Sequence, residues 1–169
     1  IGASLSNERD LGRLLGKIVV AAKSITRADG GTLYLLSEDK RHLHFEIVRT
    51  DSLNIAFGGT SGNPVSGKFP DLPLYRDDGT PNDTMIAAYA AISGQTVNVA
   101  DAYVAKGFDF SGTRKFDERN GYRSQSFLTV PMRNHEGEII GVLQLINAHM
   151  PKHDVVVPFS EADQRLAES

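Results

Sequence analysis

The sequence predicts an α+β fold built on a central antiparallel sheet, and three observations carry that expectation. Thr32–Leu36 and His42–Thr50 are joined by the polar turn Ser37–Arg41. Ser126–Met132 and Glu138–Ile146, rich in Val, Ile, Leu and Phe, are joined by Asn134-His135-Glu136-Gly137. Apolar runs of this length, reversed by so few residues, read as β-hairpins. The third observation is an opening helix. Leu11, Leu14, Leu15, Ile18, Val19, Ala22 and Ile25 recur at helical spacing on one stripe.

Each element follows from its neighbours. Ser6 or Asn7, with Glu8 and Asp10, supplies a start signal that places acids near the positive end of the helix dipole. Asp29-Gly30-Gly31 breaks the helix and feeds the first strand. In the second strand Leu43, Phe45, Ile47 and Arg49 alternate with His44, Glu46 and Val48. From Asp51 to Asp83 five glycines and four prolines dissolve the pattern, which predicts a long excursion of the kind that serves as a lid. A helix follows at Thr84–Ile92, then a strand at Thr96–Val99. Asp101 reads as a cap for a short helix at Ala102–Lys106, and Arg114–Asn120 as another that stops at Gly121. Pro131, near the end of its run, means that the strand stops there or lies at a sheet edge. Ser160 caps a closing helix.

Bulk properties narrow the function. A chain of 169 residues, 40% apolar and 23% charged, is one globular domain. A net charge of −3 gives no electrostatic drive toward nucleic acid, and no apolar run approaches a bilayer span of about 20 residues. The absence of cysteine excludes disulfides, thiolate zinc sites and thiol catalysis. Ile1 in place of an initiating Met reads as a cut point in a longer polypeptide.

Several motifs fail on inspection. Gly62–Lys68 matches most of a phosphate-binding loop, but Phe69 stands where Ser or Thr should hold magnesium, and Phe69-Pro70 opens no helix. His149 and His153 have metal-ligand spacing only on a helix, which Pro151 forbids. Arg76-Asp77-Asp78-Gly79 lacks the alternating ligands of a calcium loop and reads as a turn. No catalytic constellation and no metal site stands out.

Three segments carry a family resemblance: SGQTVNVADAY (Ser93–Tyr103), KFDERNGYRS (Lys115–Ser124) and the stretch Asn120–Ala148. In this order and spacing they resemble the GAF family of sensory domains. The likeness is nearest to those of cyclic-nucleotide phosphodiesterases and of bacterial HD-GYP and GGDEF signalling proteins. A partial signature supports it: Asn147, Phe159 and Asp163 match the family's Asn-Lys and Phe-x-x-x-Asp-Glu, with Ala148 and Gln164 replacing Lys and Glu. The resemblance implies a single GAF-like domain over residues 1–169, excised from a longer cytoplasmic signalling protein. The terminal helices lie on one face of the sheet, and a ligand pocket lies on the other, roofed by residues 51–83.

The resemblance also implies a site. Ile86 and Ala87 offer backbone N–H groups to a ligand phosphate, as free amides at a helix N-terminus suit an anion. Met85 and Ala88 replace the glycines usual on either side. Asp117 faces a purine, with Asn120 and Ser124 near the ring or phosphate. Gln144 offers an amide where an acid is frequent, and Thr113 stands where an aromatic is common. Cyclic AMP or cyclic GMP is the ligand so implied. A fused phosphodiesterase or cyclase is the output, and the domain itself catalyses nothing. A homodimer would form through the terminal helices, with Gly12 and Gly16 leaving a smooth strip for the partner. The rival expectation is a dimerisation module of the same fold with no functional pocket. The bilin-binding and sulfoxide-reducing branches of the family act through cysteine and fall away.

Overall fold

The computed structural model describes residues 2–59, 61–65, 69–150 and 155–168, with residues 2–10 as helix backbone only. The proposed cap residues Ser6 and Asn7 therefore have no described side chains. The helix α1 (Gly2–Thr26) begins ahead of them, so they lie inside it rather than at its start. Residues 66–68 of the loop-like motif, and His153, lie outside the described residues.

The described residues form one eight-stranded antiparallel sheet. Its strands are β1 (Ala28–Leu36), β2 (His42–Thr50), β3 (Ile55–Gly58), β4 (Leu72–Pro73), β5 (Val97–Val99), β6 (Phe127–Arg133), β7 (Ile139–His149) and β8 (Val156–Val157). The spatial order is β3-β2-β1-β7-β6-β5, with β4 on β2 and β8 on β7. Both expected hairpins form. Pro131 sits where β6 has passed the end of β5, whose partners are residues 127–129, so its missing N–H breaks no ladder.

Several boundaries differ from expectation: the helix expected at Thr84–Ile92 begins at Ile86 and the one expected at Arg114–Asn120 begins at Ser111, and three further differences have local reasons. α1 stops at Arg27, which takes the left-handed conformation (φ 59°), so residues 29–31 belong to β1 rather than to a break. Gly31 is required there because α1 crosses directly above. A Cβ would lie 2.8 Å from Val19 Cγ1. The excursion at residues 51–83 contains β3 and β4, and Arg76–Gly79 is the expected turn, closed by Gly79 N–H to Arg76 O at 2.9 Å. The helix expected at Ala102–Lys106 is only a single turn, in which Asp101 Oδ1 accepts from Tyr103 N at 2.9 Å.

α1 and α4 (Glu161–Glu168) share one face of the sheet. Leu15, Val19, Leu33, Ile47, Leu128, Leu143, Leu145 and Phe159 make the core beneath them. Ser160 and Asp163 cap α4 reciprocally: Asp163 N–H donates to Ser160 Oγ (3.0 Å), and Ser160 N–H donates to Asp163 Oδ2 (3.1 Å). With no Lys at position 148, Asp163 serves its own helix, and Ala148 is buried in the core.

The opposite face carries α2 (Ile86–Ser93) and α3 (Ser111–Asn120). Here Tyr34, Leu43 and Val142 pack under Ala87, Ala88 and Ala90. The alternation read for β2 is interrupted. Leu33 pairs with Ile47 and Tyr34 with Phe45, so Glu46 is an extra residue. Leu43 and Phe45 therefore face α2, whereas Ile47 joins the core under α1. Arg49 does not continue the apolar face; its guanidinium donates to the Phe57 and Gly58 carbonyls at 2.5 and 3.1 Å and holds β3 in place.

Candidate functional site

α2 begins without a side-chain cap, since Met85 provides none. The first amides of a helix have no intrahelical acceptor, so those of Ile86 and Ala87 are available to a ligand. They open onto a cavity of about 130 Å³ lined also by Tyr34, Phe45, Met85, Thr113 and Gln144. Gln144 accepts from Thr129 Oγ1 at 3.0 Å, and its Nε2 donors have no partner among the described residues. The Tyr34 hydroxyl likewise makes no hydrogen bond to a described residue, and burial pushes its pKa up, so it stays protonated. The cavity is thus rich in donors. Exposed Asp109, at its rim, is occupied by the Ser111 amide, which holds its carboxyl below the usual range.

The other expected site residues lie elsewhere. Asp117 is buried (4% exposed), and its carboxylate accepts from Ser124 N–H (2.9 Å), Ser124 Oγ (2.7 Å) and the Tyr103 hydroxyl. It fastens the end of α3 to the segment that leads into β6 and to the turn after β5. Arg123 lies over the Tyr103 ring at 4.0 Å from its centroid. The hydrogen bond to Asp117 raises the Tyr103 pKa, because the carboxylate stabilises the protonated phenol. Asn120 is exposed and donates to Phe116 O at 2.9 Å; it borders a separate groove. The expected single cavity lined by Asp117, Asn120, Ser124 and Gln144 is not what the structure contains. Of these four, only Gln144 joins Ile86 and Ala87. Gly121 ends α3 in the left-handed conformation and turns the chain so that Ser124 folds back onto Asp117, where the Tyr103 hydroxyl meets them.

A second polar network supports the same wall. Asn147, itself left-handed (φ 60°), accepts from the amides of Gln125 and Ser126 and donates to Arg123 O and Tyr122 Oη. Tyr122 donates to Asp29 at 2.6 Å, and Asp29 also accepts from Ser52 N–H and Oγ. Burial, then the bond to Asp29, pushes the Tyr122 pKa up. Asp29 therefore anchors the start of the 51–83 excursion to the segment leading into β6. Sequence reasoning missed Tyr34 and Phe45 as cavity residues. The signal was present for Tyr34, which alternates with Leu33 and Leu35 in β1.

A sheet with its terminal helices on one face and a small donor-lined cavity on the other defines a sensory ligand-binding class of domain. The chain belongs to the GAF family, whose model, described as "GAF domain", matches residues 10–169. Domains of this family are generally regulatory. The chain is 27% identical over 163 residues to a cGMP-specific 3',5'-cyclic phosphodiesterase of Drosophila melanogaster, covering 90% of this chain but only 13% of the relative. The GAF domain of a phosphoenolpyruvate-protein phosphotransferase from Coxiella burnetii superposes with a TM-score of 0.60 at 15% identity, over 98% of this chain and 84% of that one. A GAF domain/HD domain protein from Geobacter sulfurreducens does so at 0.59 and 15%, over 96% and 88%. No described helix is long and apolar enough to cross a membrane.

Proposed function

We propose that this domain is a non-catalytic sensor within a longer cytoplasmic signalling protein, and that its ligand sits on the N-terminus of α2. The observation that supports this reading is the convergence of unpaired donors on one cavity: the α2 amides at Ile86 and Ala87, Gln144 Nε2 and the Tyr34 hydroxyl. Such a cavity suits an acceptor-rich small molecule. In this reading Ile86, Ala87 and Gln144 touch the ligand, whereas Asp117, Asn120 and Ser124 hold the wall behind it. The phosphodiesterase relatives favour a cyclic nucleotide and a phosphodiesterase or cyclase output module. A volume of about 130 Å³ is below the few hundred Å³ of ordinary ligand pockets. A cyclic nucleotide therefore requires Leu72 and Phe45 to withdraw, and Met85, in place of the usual glycine, narrows the approach. Calorimetry with cyclic AMP and cyclic GMP tests this directly. Heat with either, abolished by Gln144→Leu, is the expected result. No heat and no thermal shift with either would reject the cyclic-nucleotide assignment.

The small cavity gives weight to a second role, dimerisation through α1. Leu11, Leu14, Ile18, Ala21 and Ile25 follow a 3-4-3-4 spacing, the seam of a coiled coil. Leu11, Leu14 and Ile25 are each about half exposed (48%, 54% and 50%). Gly12 is not part of that strip, because a Cβ there would contact Gly59 of the same chain at 3.7 Å. The partner is a second copy, aligned in parallel along this seam. We expect Leu14→Glu to convert the dimer to monomer by light scattering across a concentration series while the circular dichroism spectrum is kept. A wild-type protein that is monomeric throughout the series contradicts this arrangement.

A further inference from the structure

We propose that the groove between α3 and the β2–β3 pair is a second ligand site, which takes a flat aromatic ring bearing an anionic group. The groove has a volume of about 480 Å³, several times that of the cavity under α2. Its floor is Val48, and three phenylalanines wall it: Phe57 on β3, Phe69 farther along the same excursion and Phe116 on α3. Phe57 and Phe69 meet edge to face, with centroids 5.3 Å apart and planes at 73°. All three rings are only half-buried, so each leaves aromatic surface open to the groove. A flat ring inserted there would meet both face and edge, the two favourable aromatic geometries.

The rim carries the charge. Lys115 and Arg119 stand one turn apart on α3, both exposed, and both border the groove. Neither makes an ion pair with a described residue, and no acid lines the groove among the described residues. Like charges at this spacing oppose one another and weaken a helix. An anion held between them reverses that effect. The guanidinium of Arg119 matches a carboxylate or a phosphate with two parallel hydrogen bonds. Aromatic walls with a cationic rim thus select an aryl anion over a neutral ring or an aliphatic acid. The groove is separate from the α2 cavity. Phe45 and Phe69 stack between the two at 5.1 Å, so a ring seated on Phe69 presses on a wall of that cavity. The site stands independently of what the α2 cavity binds.

The test is protein-observed NMR with benzoate, phenyl phosphate and neutral benzyl alcohol as probes. Benzoate or phenyl phosphate should shift the amides of Phe57, Lys115 and Phe116, and comparison of the two identifies the preferred anion. Benzyl alcohol should bind at least about tenfold more weakly, and Lys115→Ala with Arg119→Ala should remove that preference, because charge-assisted bonds are about twice as strong as neutral ones. Both cations are exposed, so the double variant keeps the fold; Phe116→Leu should weaken all three probes. The proposal is overturned by equal binding of benzyl alcohol, by an unchanged double variant, or by shifts confined to Ile86, Ala87 and Gln144. The absence of any shift at about 10 mM, where even a millimolar site is near saturation, overturns it too.

Discussion

Replacing Asn147 with Ala should cost about 4 kcal/mol of stability, because it removes two kinds of support at once. The side chain satisfies the Gln125 and Ser126 amides, the Arg123 carbonyl and the Tyr122 hydroxyl, and Ser126 is fully buried. Donors left unpaired inside the protein cost about 1–3 kcal/mol each. The backbone at 147 is also left-handed, a conformation that costs a residue with a Cβ about 1 kcal/mol unless, like Asn, it bonds locally. Asn147→Gly separates the two effects: it keeps the conformation and loses only the hydrogen bonds, so it should be about 1 kcal/mol less harmful than Ala. Urea denaturation of the three proteins measures both quantities. A loss of less than about 1 kcal/mol in Asn147→Ala would show that the network is not coupled to the fold.

Asp117→Ala should lower stability by about 3 kcal/mol, since it strands the buried Ser124 amide and hydroxyl together with the Tyr103 phenol. The same variant provides a titration. Asp117 raises the Tyr103 pKa, so in the variant that phenol should ionise closer to its ordinary value of 10, seen as phenolate absorbance. The sign of the pH dependence follows from the direction of the shift. Tyr103 and Tyr122 have raised folded-state values, so the stabilisation they contribute is complete below the ordinary phenol range. It is lost as pH rises into the alkaline range. Stability from this source should therefore be flat through neutrality. If Asp117→Ala leaves stability unchanged yet weakens binding of an identified ligand tenfold or more, Asp117 is a ligand contact rather than a fastener. A charge-assisted hydrogen bond to a ligand contributes roughly that much.

The elements legible in advance are those whose cause lies within a few residues. The two hairpins declare themselves by short polar turns between strand-like apolar runs. α3 declares its end by Gly121, which takes the left-handed conformation expected of it. Ser160 caps α4 because its partner is only three residues away. The GAF resemblance extended that reading to the arrangement of helices about the sheet, and three of the residues it implied for a site, Ile86, Ala87 and Gln144, line one cavity. It also marked Met85 and Thr113 as departures, and both line that cavity.

What was not legible depends on partners distant in the chain. The extra residue at Glu46 reverses the faces of β2, and it exists only because β1 sets the register against which β2 is counted. Asp117 has the chemistry of a purine-reading acid, but Tyr103 and Ser124 arrive within reach only after the chain folds, and a buried carboxylate takes the donors nearest to it. Gly12 resembles a residue cleared for a partner helix until Gly59 is found beside it. The sequence alone thus determined the two hairpins, the end of α3 and the start of α4, because periodicity and capping act over one or two turns. The tertiary structure alone decided which polar side chains face the cavity and which hold its walls. That choice belongs to hydrogen-bond partners brought together from as far as Asp29 and Tyr122, which are 93 residues apart in the chain.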